Sequence, residues 1–184
     1  MSIAPTAPAI AEPLEIRPSR PDDIPAIAAI YAHAVRFASA SFELEPPSEE
    51  EMARRREALV SAGYPYLVAE AAGRVIGYAY AGAYRPRPAY ASTVENSVYV
   101  APDAQGRGAG RALLARLVAE AEALGFRQMI AVIGDSENRA SIRLHAALGF
   151  AHAGTLRSVG WKHERWLDSV LMQRALGPGD GAPR

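Results

Sequence analysis

Apolar positions along this chain switch between a period of two and a period near 3.6, and the switches predict an α/β order of elements. Leu14-Glu15-Ile16-Arg17 alternates and predicts a short strand, after which Pro21-Asp22-Asp23 opens a helix with Ile24, Ile27, Ala28 and Tyr31 on one face. Ser48, three residues before Glu51, sets up a capping box for a second helix, whose Glu49, Arg54, Arg55 and Glu57 read as solvated surface. Pro65 to Glu70 and Arg74 to Ala83 flank an Ala-Ala-Gly turn and predict a hairpin, and Thr93 to Val100 predicts the next strand. Helical spacing returns from about Gly108 to Leu124, with Leu113, Leu114, Leu117, Val118 and Ala121 on the buried stripe. Met129 to Ile133 predicts a strand, Asn138 to Leu148 a helix, and Ala153 to Val159 and Trp166 to Gln173 two further strands. The sum is one mixed α/β (α+β) domain over 14–176 with no internal repeat. The ends, 1–13 and 177–184, are rich in Pro, Gly and Ala, lack periodicity and read as flexible tails.

Composition narrows the function classes. With 184 residues, 49% of them apolar and 22% charged, the chain suits a single core of ordinary size. Lys plus Arg equals Asp plus Glu at 20 each, so no global field draws in nucleic acid or an anionic membrane. The absence of cysteine excludes disulfides, thiolate metal sites and a cysteine nucleophile together. His33, His145, His152 and His163 do not form a ligand-spaced cluster, so no metal is expected. Met1 to Glu12 lacks a basic leader and no run of eighteen apolar residues occurs anywhere, which reads as cytoplasmic.

The most informative segment is Val94 to Leu114, where a β-branched strand passes through Gln105-Gly106-Arg107-Gly108-Ala109-Gly110-Arg111 directly into a helix. Glycines let the backbone approach a ligand, and the first helical turn presents free N–H groups and the positive end of the helix dipole, which together suit a pyrophosphate. The loop lacks the Gly-Lys-Ser/Thr of a Walker motif and the Gly-x-Gly-x-x-Gly of a dinucleotide fold. It resembles instead the Gln/Arg-x-x-Gly-x-Gly/Ala loop of the GCN5-related N-acetyltransferases. A second segment some thirty residues on, Asn138-Arg139-Ala140-Ser141-Ile142-Arg143-Leu144-His145-Ala146-Ala147-Leu148-Gly149-Phe150, is similar to that family's other cofactor-contacting stretch. The resemblance covers about 14–176 and implies a mixed, mostly antiparallel sheet flanked by about four helices, with acetyl-CoA as co-substrate.

Three more segments are similar to the phosphinothricin and methionine sulfone/sulfoximine branch of that family: Arg85-Pro86-Arg87-Pro88-Ala89-Tyr90, Thr93 to Val100, and Gly160 to Asp168. The branch implies an acceptor that is a small amino acid acetylated on its α-amino group, and a homodimer. An amine attacks a thioester only as the free base, so a carboxylate must receive a proton. Glu95 is the candidate: with Ser97 and Tyr99 it shares one face of a strand whose other face carries Val94, Val98 and Val100. It also matches the branch's base position. His145, which the branch carries where many relatives have tyrosine, is the candidate donor to the departing thiolate, or else a packed helix histidine. The family further implies that backbone groups of Val98, Tyr99 and Val100 pair with the pantetheine amides like an added strand, and that Asn138 and Ser141 contact that arm. Asn138 is also placed to cap its helix. Arg85, Arg87, Lys162 and Arg165 can offer a cation to the acceptor's anionic group, Arg with bidentate geometry, and Tyr90 and Trp166 can wall a pocket. With no cysteine available, direct attack in a ternary complex is expected. Acetylation of a protein N-terminus or another amine, and non-catalytic sensing of acetyl-CoA, stay open as alternatives.

Overall fold

The structure, a computed structural model, describes residues 13–182. Met1 to Glu12 of the first expected tail, and Pro183 and Arg184 of the second, lie outside the described residues. Among the described residues seven strands and four α-helices follow one another as β1 (Glu15–Pro18), α1 (Ile24–Phe37), α2 (Glu49–Ser61), β2 (Tyr66–Ala71), β3 (Arg74–Ala83), β4 (Thr93–Val100), α3 (Ala109–Ala123), β5 (Gln128–Gly134), α4 (Arg139–Ala147), β6 (Ala151–Lys162) and β7 (Arg165–Ala175). The two C-terminal strands are longer than their apolar patterns suggested, because the exposed ends of β6 and β7 pair with each other from Ala151↔Gln173 to Lys162↔Arg165 whatever their side chains. Residues 177–182 form hydrogen-bonded turns, with Gly179 N–H donating to Leu176 O at 2.9 Å.

The strands form one sheet in the order β1-β2-β3-β4-β5-β7-β6. Every neighbouring pair is antiparallel except β4 and β5, which run parallel. That parallel pairing spans only Thr93↔Gln128 to Asn96↔Ala131 and then stops, so the second half of β4 has no partner on its β5 side. Alternation sorts the two faces. On β3, Gly77 turns toward Leu113 of α3, so a Cβ there would lie 3.1 Å from that side chain, whereas Tyr78 stacks on Tyr99 and Tyr99 meets Tyr31 of α1 edge-on. Thus α3 covers one face and α1 with α2 the other.

The stripe expected on α3 is buried throughout: Leu113, Leu114, Leu117 and Ala121 are fully enclosed and Val118 nearly so. Each such leucine contributes about 1.5–3 kcal/mol by leaving water. Ser48 caps α2 by accepting from Glu51 N–H at 3.2 Å, but the reciprocal half of the expected box is absent because the Glu51 carboxylate takes Arg54 and Arg55 instead. The charged face of α2 is not uniformly solvated. Arg56 is buried and donates to Ser19 Oγ and Ser19 O, and Arg55 reaches Glu43 at 2.6 Å. Glu49, Arg54 and Glu57 are exposed as expected, Arg55 is drawn partly under by Glu43 of the α1–α2 loop, and Arg56, which faces inward, is taken up by Ser19 just after β1.

The loop joining α1 to α2 is pressed against the far half of the sheet. A Cβ on Gly134 would sit 2.0 Å from Ser39 O, so only glycine permits this approach. Lys162, buried at 5% exposure, donates to Ala38 O at 3.1 Å and Ser41 O at 2.6 Å and pins the same loop to β6. Among the described residues no helix is long and apolar enough to cross a membrane.

Candidate active site

Where β4 and β5 part, a cleft of about 800 Å³ opens, lined by Val98, Tyr99 and Val100, by the glycine loop, by the start of α4 and by Ala34, Phe37 and Ala38 to Ala40 of α1 and its following loop. The loop adopts the geometry its glycines require: Gly108 has φ 90°, and a Cβ there would meet nothing within 4 Å, so conformation rather than crowding selects glycine. The first helical bond of α3 runs from Ala112 N–H to Gly108 O at 3.0 Å, which leaves the N–H groups of Ala109, Gly110 and Arg111 without intrahelical acceptors. All three residues line the cleft. An anion held there meets backbone donors and the positive end of the α3 dipole. Of the residues expected around the cofactor, only Arg107 does not line the cleft; it is exposed.

Beneath the strand split the cleft narrows into a recess of about 40 Å³ bounded by Asn96, Val98, Ala131, Asn138, Ser141 and His145. Asn138 caps α4, its Oδ1 accepting from Ser141 N–H at 3.3 Å. His145 is 4% exposed, with Nε2 3.0 Å from Asn96 Oδ1 and Nδ1 2.8 Å from Ser141 O. The Asn96 amide donates to Ile130 O at 3.1 Å, which turns its oxygen toward the imidazole. Both ring nitrogens therefore face acceptors, and a neutral imidazole has one proton to offer. Burial holds the His145 pKa below its ordinary value, against the opposing pull of the Ser141 carbonyl. The ring is thus tied to β4 through Asn96 and to its own helix through Ser141. Asn96 was missed at the sequence level because its alternation pattern reads as one more inward strand position.

On the opposite face of β4, Glu95 is half-buried, and burial pushes its carboxyl above the ordinary glutamate range. It pairs in register with Gly82, where a Cβ would meet Leu59 of α2 at 3.1 Å. Ser97 and Tyr99 follow it on the same face, as expected, with Ser97 beside the Tyr80 ring's hydroxyl. Tyr31 bridges to the α1–α2 loop, its hydroxyl 2.9 Å from Ser41 Oγ and donating to Glu43 at 3.0 Å. Burial raises the Tyr31 pKa to about 12, so this hydroxyl stays protonated at neutral pH.

The cations expected to receive the acceptor fall into two groups. Arg85 and Arg87 are exposed on the connection between β3 and β4, where the Arg85 guanidinium lies 5.1 Å from the Tyr84 ring centroid and 5.8 Å from that of Tyr90. Tyr84 and Tyr90 meet edge-on at 5.7 Å, so the three side chains form one exposed aromatic-cationic cluster a few residues before Glu95. Lys162 does not join them. Its ammonium is engaged by two loop carbonyls, and it acts as a clamp rather than a free receptor for an anion. Arg165 lines the cleft and pairs with buried Asp135, which anchors the β5–α4 turn. Trp166 is neither core nor part of this cluster: it is 60% exposed and packs edge-on against Trp161.

Comparison with known proteins agrees with this geometry. Residues 27–150 match the model of the acetyltransferase (GNAT) family. The chain is 58% identical over 165 residues to a phosphinothricin N-acetyltransferase of Alcaligenes faecalis, covering 90% of this chain and 84% of that protein. It is 43% identical over 169 residues to an L-methionine sulfoximine/L-methionine sulfone acetyltransferase of Pseudomonas paraeruginosa, covering 91% and 98% of the two. Among solved structures, a phosphinothricin acetyltransferase of Sinorhizobium meliloti in complex with AcCoA superposes with a TM-score of 0.90 at 48% identity, covering 92% of each chain. A glycine loop that frees helix N–H groups beside a split parallel joint, in a chain matched over most of its length to these enzymes, places the protein in the GNAT acetyltransferase family.

Proposed function

We infer that the protein transfers the acetyl group of acetyl-CoA to the α-amino group of a small amino acid of the phosphinothricin, methionine sulfone or methionine sulfoximine type. The observation that carries this reading is the placement of Glu95: a half-buried carboxylate on β4 at the strand split, on the face opposite His145, within the strand that also bounds the cofactor cleft. Acetyl-CoA fits the cleft through its pyrophosphate on the N–H groups of Ala109 to Arg111 and its pantetheine arm along the unpaired edge of Val98 to Val100. It supplies the activated thioester. Glu95 takes the ammonium proton, directly or through water, and the freed amine attacks the thioester carbonyl; the C–S bond then breaks and the acetyl group leaves on nitrogen. The raised Glu95 pKa brings this base nearer that of the amine it serves. His145 and Asn96 form the polar floor where the thiolate departs; the second proton shed by the attacking nitrogen neutralises the thiolate there, and His145, held in place by Asn96, is its relay. Arg85 and Arg87, with Tyr90, receive the acceptor's anionic group.

A homodimer belongs to the same proposal. Edge strand β6 and its hairpin expose Leu156, Val159, Trp161 and Trp166 at 51–60%, an apolar strip that a second copy would cover. Light scattering at micromolar concentration should return twice the chain's 19.6 kDa. A cytoplasmic site of action completes the reading and is checked by cell fractionation.

The deciding experiment is acetyl-CoA-dependent thiol release with phosphinothricin, methionine sulfone, methionine sulfoximine, ordinary amino acids and short peptides. Selective turnover of the first three is the expected result. Turnover of peptides alone would replace the acceptor, and acetyl-CoA binding with no turnover of any amine would favour a sensor.

A further inference from the structure

The turn between β5 and α4 is fastened to β7 by two hydrogen bonds and an ion pair. Asp135 N–H, just past β5, donates to Asp168 O at 2.8 Å, so two aspartates stand opposite each other across the sheet. Like charges placed so repel. Each carboxylate is relieved by partners of its own. Asp135 is buried at 3% exposure and pairs with Arg165, while its Oδ1 accepts Glu137 N–H at 3.3 Å. Asp168 Oδ2 accepts from Ser136 Oγ at 2.7 Å, and its Oδ1 accepts from Ser158 N–H at 3.0 Å in the irregular stretch of β6. Those two donors, Ser136 foremost, hold the Asp168 carboxyl below the ordinary aspartate range.

Backbone strain collects at the same place. Asp135 has φ 71°, in the left-handed region that residues other than glycine rarely occupy, and Ser158 has φ 53°. Such conformations persist where surrounding contacts over-determine them, and here those contacts come from Asp168 and Arg165. What they hold is one wall of the cofactor cleft. Asp135 O accepts Asn138 N–H at 3.1 Å, and Asn138 in turn caps α4 through Ser141 N–H. Asn138 and Ser141 face Val98 across the recess at the strand split, whereas the glycine loop borders the cleft at the start of α3. A shift of the β5–α4 turn would therefore move the wall along the open edge of β4 and leave the pyrophosphate loop in place.

We propose that Asp168 is a positioning residue for the co-substrate: together with Arg165 it locks the β5–α4 turn, and through Asn138 it sets the gap between α4 and the open edge of β4 in which the pantetheine arm lies. The inference rests on the reading that the arm runs along Val98 to Val100 and is independent of which amine is acetylated. Arg165, expected among the acceptor's cations, thereby serves the co-substrate.

Ser136→Ala removes one bond to Asp168, Asp168→Ala removes both bonds to its carboxylate, and Ser136→Thr keeps the hydroxyl. Calorimetry measures the affinity of each variant for acetyl-CoA and for adenosine bisphosphate, the nucleotide end of the molecule without the arm, alongside thermal unfolding. Acetyl-CoA affinity should fall by about three- to tenfold in Ser136→Ala and further in Asp168→Ala, the scale of one and two hydrogen bonds, while bisphosphate affinity is unchanged and Ser136→Thr behaves as the parent. Equal losses for the two ligands would mark a general disturbance of the cleft, and no loss for either a purely structural fastening; both overturn the proposal whatever the unfolding temperatures. A loss in Ser136→Thr as large as in Ser136→Ala rejects it as well. Should Asp168→Ala fail to fold, the two Ser136 variants decide alone. If the unaltered protein binds the bisphosphate as tightly as acetyl-CoA, the arm is not held in the cleft, and the reading of the cleft fails together with this proposal.

Discussion

The two sides of β4 are built by different means. The cleft side is made of backbone: unpaired strand edge, glycine loop and helix N-terminus supply donors that depend on conformation more than on side-chain identity. The face that carries Glu95 is made of side chains from separate stretches of chain: Tyr31 of α1 against Tyr99 of β4, Tyr80 of β3 opposite Ser97, and the Arg85–Tyr90 cluster on the connection that follows β3. A site of the first kind holds a constant group such as a pyrophosphate; one of the second kind can be retuned residue by residue without disturbing the first.

If that division holds, lesions on the two sides separate in kinetics. The largest effect belongs to Glu95→Gln, which should lower turnover by roughly 10²–10³-fold while acetyl-CoA affinity measured by calorimetry is unchanged. The sign of its pKa shift adds a second signature. A carboxyl raised by burial is stable in its neutral form, so its favourable contribution is complete at low pH and is lost as pH rises through the folded-state value. At neutral pH the glutamine variant should therefore unfold at an equal or higher temperature than the parent, and the acidic limb of the kcat/KM profile, displaced above the ordinary glutamate range, should vanish with Glu95. A flat profile in the parent would remove this residue from the mechanism.

Next in size is Gly108→Val. At φ 90° a β-branched residue is strained, so the loop must shift and acetyl-CoA affinity should drop by about ten- to a hundredfold, with acceptor preference preserved. Unaltered affinity would contradict the pyrophosphate assignment. Lys162→Met comes third: it leaves the Ala38 and Ser41 carbonyls unpaired and should destabilise the protein by about 1–3 kcal/mol in urea unfolding. Because the loop it pins borders both sides, this variant should raise the KM for both substrates, which blurs the comparison where the clean lesions sharpen it. The smallest effect is expected from Arg87→Ala, a rise of a few fold in acceptor KM confined to anionic acceptors and weakened by added salt, as befits an exposed cation.

The same contrast explains what the sequence reveals and what it hides. The cleft lies within two short, contiguous motifs, and their local spacing announces strand, turn and helix before any tertiary contact is known. Val98 to Val100, Gly106, Gly108 and Asn138 stand where that spacing puts them. Glu95 is legible by alternation together with family likeness. The stack of Tyr66, Tyr78 and Tyr80 is not legible, because tyrosines spaced along two strands look like ordinary core residues until β2 and β3 are brought together. Lys162 misleads for a related reason: in sequence it stands as a cation on offer to the acceptor, and only the folded chain shows two loop carbonyls engaging its ammonium. Arg56 on α2 repeats the lesson, since nothing in its charged neighbourhood foretells that Ser19 will enclose it.

The parallel joint between β4 and β5 ends after four residue pairs, and in the proposed binding mode the backbone groups of Val98 and Val100 beyond it receive the co-substrate. Were the strands to zip further, the sheet would gain ladder bonds and the enzyme would lose its substrate slot. On that proposal catalytic competence is kept by an unfinished sheet, and the thioester arm is the temporary eighth strand that finishes it. Each turnover then begins by mending a break in the fold and ends by reopening it, so the hydrogen-exchange protection of Val98 and Val100 becomes a direct clock of occupancy.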